Sequence, residues 1–298
     1  MEIQHTSREV IGQIYLPGIN WTLCVGVMAL VLGFGSSSNL AAAYGIAVTG
    51  TMAITTVLAF VVARSIWKWS LPASVALFGA FLLVDLGFFS ANLIKIVDGG
   101  WFPLAFGAVV FMLMLTWKRG RQLLQSRLEV DSIPLGVFIE SASLGCGTVP
   151  GTAVFMTTNP STVPHALLHS MKHYKSLHER VVLLNTVTLD VPHVPPSQRV
   201  AVETINSQFH KISVFFGFMD TPDIPEALEW CAEQGVRFDM MDTSFFLGRE
   251  TLIPKTDSEM AFWRERLFIA MARNARAAAD YFSLPSNRVV ELGTQIVL

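Results

Sequence analysis

The first 117 residues of the chain are almost free of charge, and this feature constrains the fold more than any other. They hold only four of the 21 basic and four of the 23 acidic residues of the 298-residue chain. Four apolar stretches follow one another within them, near residues 17–35, 40–63, 71–94 and 101–117. A helix rises about 1.5 Å per residue, so about 20 residues cross a hydrocarbon core of roughly 30 Å. The stretches therefore predict four transmembrane helices in a membrane domain over residues 1–117.

The basic residues between the stretches predict how the helices are oriented. Arg64 and Lys68 follow the second stretch, and three of the four residues 118–121 are basic and follow the fourth. Cytoplasmic loops of membrane proteins carry an excess of lysine and arginine. We therefore expect residues 1–16 and everything after residue 117, and hence both ends of the chain, to lie in the cytoplasm.

Residues 118–130 combine basic groups with leucines and predict a short amphipathic linker helix. Such a helix could lie along anionic lipid head groups or could be solvated, and the sequence leaves both interpretations open.

The remaining residues, 131–298, are charged like a soluble protein and change their pattern. Runs rich in β-branched and aromatic residues predict strands at 151–158, 180–189, 211–218 and 288–298, and helical patterns occupy 164–175, 223–234 and about 257–282. Alternation of strands and helices is typical of an α/β layer domain. The chain is therefore predicted to be an α-helical membrane domain followed by a cytosolic α/β domain.

Charge and motifs exclude several classes of function. The net charge of −2 gives no basic footprint for nucleic acid. Cys24, Cys146 and Cys231 are far apart and form no CxxC pair, which argues against a disulfide framework or a zinc site. No phosphate-binding glycine loop, nucleophile elbow or kinase signature is present. The sequence therefore predicts no enzyme and no cofactor.

Three histidines, His165, His169 and His173, are spaced so that they share one face of a predicted helix. Histidines four residues apart can ligate a metal. That helix holds no cysteine or carboxylate to complete a ligand set, so we expect a polar packing face and no metal.

Asp85 is the one charged residue of the third apolar stretch. A carboxylate at membrane depth is costly and marks a functional hypothesis by default. It could be neutral, relay a proton, pair with Lys95 or a helix end, or make a structural polar contact.

The second apolar stretch begins with a run of small and polar residues that contains Tyr44, Gly45, Thr49 and Gly50. Small residues let helices approach closely, and threonine hydroxyls can bond back to backbone carbonyls. In a transporter, the same composition could mark an unwound helix that lines an ion site. These four residues and Asp85 are the candidate site residues.

Seven blocks of the sequence resemble the KUP/HAK/KT family of potassium transporters. They are GQIYLPGINW (12–21), SSNLAAAYGIAVTGTM (37–52), ANLIKIVDGGWFPL (91–104), VPGTAVFM (149–156), HALLHSMKHYKSLHERVVLL (165–184), TSFFLGRETLI (243–253) and NRVVELGTQ (287–295).

The resemblance implies a LeuT-like (APC superfamily) core, a cytosolic C-terminal domain and uptake of potassium with protons across the bacterial inner membrane. Against the family pattern of about twelve spans, the chain starts near the ninth, so the ion-binding positions of the missing spans have no counterpart here. We expect a C-terminal part that does not transport alone. Its expected partners are potassium, protons, the lipid bilayer, and either the missing spans or a second copy. The alternative is a membrane-anchored regulatory or assembly module whose α/β domain binds a ligand.

Overall fold

The computed structural model describes residues 4–130, 133–142, 146–254, 259–274 and 278–297. They form two compact units. One consists of Pro17–Leu115, and the other combines Met1–Leu16 with Thr116–Leu298.

A short hairpin precedes the first long helix. Its strands are β1 (Gln4–His5) and β2 (Ile14–Tyr15), which pair antiparallel. Contacts group this hairpin with the α/β unit, whereas the sequence analysis places residues 1–16 with the membrane domain. The ring of His5 lies 5.3 Å from that of Phe218, which is one of the contacts that hold it there.

Long apolar helices make up the Pro17–Leu115 unit. They are α1 (Pro17–Phe34), α2 (Ser37–Ser65), α3 (Leu71–Leu93) and α4 (Trp101–Val130), the last preceded by a π-helical turn at Ile96–Gly100. Among the described residues, these are the four helices that are long and apolar enough to cross a membrane. The prediction of four such helices is confirmed.

Gly99 lets the chain turn between α3 and α4. Its φ of +132° lies in a region that side chains rarely adopt. A Cβ there would lie 2.7 Å from Cε1 of Phe34 and 2.9 Å from the carbonyl oxygen of Asn39. Both the backbone angle and the close approach therefore require glycine.

The predicted linker at 118–130 is not a separate element. Its residues are mostly good helix formers without proline, and α4 continues through them. Leu123 and Leu124 are buried in a cluster with Phe268 and Ile269. The leucines of this segment are therefore buried against protein, whereas its basic residues Lys118, Arg119 and Arg121 are exposed.

A six-stranded sheet forms the centre of the other unit. Its strands are β3 (Gly147–Met156), β4 (Ser176–Leu189), β5 (Val200–Thr204), β6 (Phe209–Gly217), β7 (Thr243–Ile253) and β8 (Val289–Val297). The strand order is β5-β6-β4-β3-β7-β8, and every neighbouring pair is parallel except β5–β6. The α/β prediction is confirmed.

Helices cover both faces of this sheet. They are α5 (Leu135–Ala142), α6 (His165–Tyr174), α7 (Ile224–Trp230), α8 (Phe262–Arg273) and α9 (Ala278–Tyr281). Successive side chains of a strand point to opposite faces. Accordingly, Phe155 packs with α5 and α6, whereas its neighbour Val154 packs with α7.

Several elements differ from the predicted ones. The sequence analysis missed α5, β5 and β7. The predicted helix at 257–282 is shorter: its described helical parts are α8 and α9, residues 259–261, 274 and 282 are not helical, and 257–258 and 275–277 lie outside the described residues. β7 escapes a pattern search because Gly248, Arg249 and Glu250 interrupt its apolar run. The sheet accommodates Arg249 at the exposed surface, where it pairs with Glu291 of β8 at 3.2 Å.

Candidate functional site

A groove of about 630 Å³ lies between α2 and α3 and contains two of the five candidate residues. α2 lines it with Tyr44 and with the threonines Thr51, Thr55 and Thr56 among small apolar residues. α3 contributes two phenylalanines and Asp85, the one charged side chain in the lining. The groove is therefore an apolar surface with a single acidic position.

Asp85 is held by a threonine of the neighbouring helix. Only 6% of the residue is exposed, and Thr56 Oγ1 donates a hydrogen bond of 2.5 Å to its Oδ2. A hydroxyl directed at a carboxyl group lowers the cost of burying it away from water. Lys95, about three helical turns away, is too distant for a pair on the same helix, and the polar contact of Asp85 is with Thr56.

Gly45, Gly50 and Thr49 do not line the groove. A Cβ on Gly45 would lie 2.6 Å from Oδ1 of Asn92, and one on Gly50 would lie 3.5 Å from the ring of Phe89. Thr49 Oγ1 donates to the Gly45 carbonyl at 2.7 Å. Gly45 and Gly50 therefore lie where α2 contacts α3, and the Thr49 hydroxyl is bonded within α2.

The hypothesis of an unwound ion-binding segment does not fit this region. α2 is helical without interruption from Ser37 to Ser65. Its backbone carbonyls are therefore engaged in the helix rather than free to coordinate a cation.

Comparison with known proteins agrees with this architecture. A family model described as "K+ potassium transporter integral membrane domain" matches residues 1–122, and one described as "K+ potassium transporter C-terminal domain" matches residues 150–298. The chain belongs to the KUP/HAK/KT family of potassium transporters.

Relatives within this family are similar along the whole chain. A "Probable potassium transport system protein Kup 3" of Dechloromonas aromatica is 60% identical over 100% of the chain and 48% of its own length. Proteins named "Probable potassium transport system protein Kup" from Azoarcus sp. and Myxococcus xanthus are 58% and 55% identical, again over 100% of the chain and over 47% and 46% of their lengths. The chain thus spans about half the length of the curated relatives it matches.

The histidine face of this KUP/HAK/KT chain lies on α6. The rings of His169 and His173 are 5.8 Å apart. Burial, followed by the charges of His173, Lys172 and His165, lowers the pKa of His169 below its ordinary value. Within the described ranges, no group of three or more histidine, cysteine or acidic side chains is arranged to hold a metal ion.

A second cavity, of about 170 Å³, lies at the carboxyl ends of β4 and β6 in the α/β unit. Its acidic residue is Asp220, whose side chain is 5% exposed. Oδ1 of Asp220 lies 2.7 Å from Nδ1 of His193 and accepts from Arg199 at 3.2 Å. Oδ2 accepts from the backbone N–H groups of Val194 and Gly217 at 3.1 and 2.8 Å. Internal partners therefore engage both oxygens, which identifies Asp220 as a structural anchor of the loops around it.

Burial of the Asp220 carboxyl opposes its ionisation, but its hydrogen-bond partners outweigh this effect. His193, the N–H groups of Gly217 and Val194, and the charge of Arg199 together lower the pKa of Asp220 below 3.8. The ionised form is thus favoured by folding. Its contribution to stability is complete above the unfolded-state pKa and is lost as the pH falls through the folded-state value.

We expect Asp220→Asn to destabilise fragment 116–298 by about 1–3 kcal/mol at pH 7, because buried donors lose a charged acceptor. The loss should shrink below pH 4, where the natural carboxyl also becomes protonated. Urea unfolding followed by circular dichroism at several pH values measures both effects. Asp190→Asn, at an exposed position, is the control. Equal losses at pH 7 and pH 3 would contradict this account.

We also expect Gly45→Val to loosen the membrane helices. The added side chain would meet Asn92, and overpacking of this kind costs about 1–3 kcal/mol. Gly79→Val is the matched control, since a Cβ at Gly79 on α3 meets no atom within 4 Å. The midpoint of thermal denaturation in detergent should fall for the first variant and stay near the natural value for the second. Identical midpoints would show that α2 and α3 do not approach at Gly45.

Proposed function

We propose that this chain is the C-terminal part of a transporter that takes up potassium together with protons across the bacterial inner membrane. Membership of the KUP/HAK/KT family carries the proposal, together with relatives that are 55–60% identical across the chain and named as probable potassium transport proteins. The family consists of transporters rather than enzymes.

The proposal includes a LeuT-like architecture for the complete transporter. In such folds the ion binds at broken helices of two inverted repeats. Here the candidate residues lie on α2 and α3, which run unbroken over Ser37–Ser65 and Leu71–Leu93. This continuity supports an ion site formed by spans outside this chain.

The composition of the groove also supports an ion site in spans outside this chain. A potassium ion must exchange its hydration shell for a ring of oxygen ligands before it crosses hydrocarbon. The oxygen atoms that side chains offer in the groove come from Tyr44, three threonines and Asp85, all on two adjacent helices. The remaining lining is mostly apolar and cannot enclose an ion. We infer that helices from the rest of the transporter cover the groove, and that Asp85 secures α2 to α3.

The proposed partners are therefore potassium, protons, the lipid bilayer and the remaining spans, with a homodimer as a further assembly. The alternative, a regulatory or assembly module whose α/β domain binds a ligand, stays a prediction. A ligand screen on the α/β unit would test it independently of transport.

A chimera tests the transport proposal. We expect a protein in which this chain replaces the matched 48% of the Dechloromonas aromatica relative to restore growth of a strain without potassium uptake systems at limiting potassium. This chain alone should not restore growth, because it lacks a complete ion site. Growth rate and rubidium uptake are the measurements.

The chimera with Asp85→Asn separates a structural from a transport role. An amide oxygen can still accept the hydrogen bond from Thr56, so most uptake should remain. Growth supported by this chain alone, and abolished by Asp85→Asn, would overturn the proposal and make Asp85 a transport residue.

The proposed topology places both ends of the chain in the cytoplasm. An alkaline phosphatase reporter, which is active only outside the cytoplasm, should be silent when fused after Leu298. The same reporter fused after Ser36, between α1 and α2, should be active and is the positive control. The opposite pattern would invert the topology.

A further inference from the structure

α8 packs alongside the part of α4 that begins at Thr116. Nε of Arg264 donates to Oγ1 of Thr116 at 3.1 Å. Four residues further along α8, the ring of Phe268 lies 5.5 Å from that of Trp117 and occupies the space that a side chain at Gly120 would need. Close contact at this point therefore requires glycine on α4.

Later residues of the two helices continue this pairing. Ile269 and Ala272 of α8 share a cluster with Leu123, Leu124 and Leu128 of α4. The contacts advance in the same direction along both helices, so α8 runs parallel to this part of α4. The N-terminus of α8 consequently lies at the Thr116 end of the pair.

The apolar, uncharged part of α4 ends at Thr116 and Trp117. Residues 101–117 contain no aspartate, glutamate, lysine or arginine, and three of the next four residues are basic. Tryptophan favours the boundary between hydrocarbon and water. The start of α8 is therefore at the depth of the lipid head groups.

Two large aromatic residues are exposed at that start. Phe262 is 50% and Trp263 55% accessible. The guanidinium of Arg266 lies 4.3 Å from the centre of the Phe262 ring, a cation–π arrangement. Adjacent exposed aromatics are unusual on a soluble surface and mark an interaction site.

The charges around this aromatic pair are mainly positive. Lys118, Arg119 and Arg121 are exposed on α4, and Arg266 is exposed on α8. Among the described residues, the exposed acid next to this pair along the chain is Glu259, which pairs with Arg119 at 3.0 Å. Basic side chains around exposed aromatic rings complement a bilayer that contains acidic lipids. Such a bilayer has anionic head groups at its surface and hydrocarbon beneath them.

We propose that Phe262 and Trp263 insert into the head-group region of the leaflet from which α4 emerges, and that the neighbouring basic side chains bind anionic lipid phosphates. This contact attaches the α/β unit to the membrane at a second point besides α4 itself. It concerns lipid binding and does not depend on which ion the transporter carries.

Environment-sensitive labelling of the whole chain in lipid nanodiscs tests the proposal. Cys24, Cys146 and Cys231 are replaced by alanine, and Trp263→Cys is labelled with the fluorophore NBD. Met241→Cys is the matched control. Met241 is 75% accessible and precedes the start of β7, whereas the α4–α8 cluster contacts Leu252 near the end of that strand. The two ends are separated by about 30 Å of strand, at about 3.3 Å per residue.

We expect the label at position 263 to emit at shorter wavelength and to be quenched at least about twofold more by doxyl-labelled lipids than the label at 241. Iodide in the buffer should quench the label at 263 less than the label at 241. If the cysteine at 263 disturbs folding, Phe262→Cys places the label on the same turn.

Two outcomes would overturn the proposal. Equal iodide quenching at 263 and 241 would place the aromatic pair in water. A blue-shifted emission without quenching by labelled lipids would mean that protein, such as a second copy, covers the pair.

Lipid charge tests the second half of the proposal. Replacing a third of the phosphatidylcholine by phosphatidylglycerol should increase the lipid quenching at 263, and the double variant Lys118→Gln, Arg266→Gln should abolish that increase. Quenching that is indifferent to lipid charge would refute the phosphate contacts and leave insertion driven by the aromatic rings alone.

Discussion

The requirement that every polar group in hydrocarbon finds a partner within the protein governs the four apolar helices of this chain. Its backbone meets the requirement by remaining helical, since an unpaired N–H or C=O costs several kcal/mol in lipid, by order of magnitude. Its side chains follow the same rule. Thr22, Thr49 and Thr51 return their hydroxyls to carbonyls one turn earlier at 2.7–2.8 Å. The hydrogen-bonding needs of these hydroxyls are therefore met within their own helices.

Asp85 is the residue that this rule does not satisfy within its own helix. Its partner, Thr56, is 29 positions away along the chain, so the carboxyl group fixes which faces of α2 and α3 meet. The small residues Gly45 and Gly50 then allow the approach that the hydrogen bond needs. The Thr56–Asp85 hydrogen bond and the close approach at Gly45 therefore require the same relative rotation of α2 and α3.

The sequence predicts much of this fold because the strongest signals are local. Four apolar lengths and the alternation of strands and helices are visible without a partner. The missed parts depend on contacts. β7 contains charged residues in its second half. There it pairs with β8, and the side chain of Arg249 contacts Glu291 at the exposed surface. The five candidate residues were chosen from composition, and composition does not tell that Tyr44 faces the groove while Gly45 faces Asn92.

The segment after Trp117 shows most clearly that a sequence pattern does not reveal what an apolar helix face contacts. An amphipathic helix with leucines on one side and basic groups on the other has one pattern, whether its apolar side meets lipid or protein. Only the burial of Leu123 and Leu124 against Phe268 distinguishes the two. The same packing places α8, with its exposed Phe262 and Trp263, beside the part of α4 that begins at Thr116. Because protein covers the leucines of α4, the apolar part of the lipid contact that we propose comes from Phe262 and Trp263 of α8, and the basic side chains of α4 lie beside it.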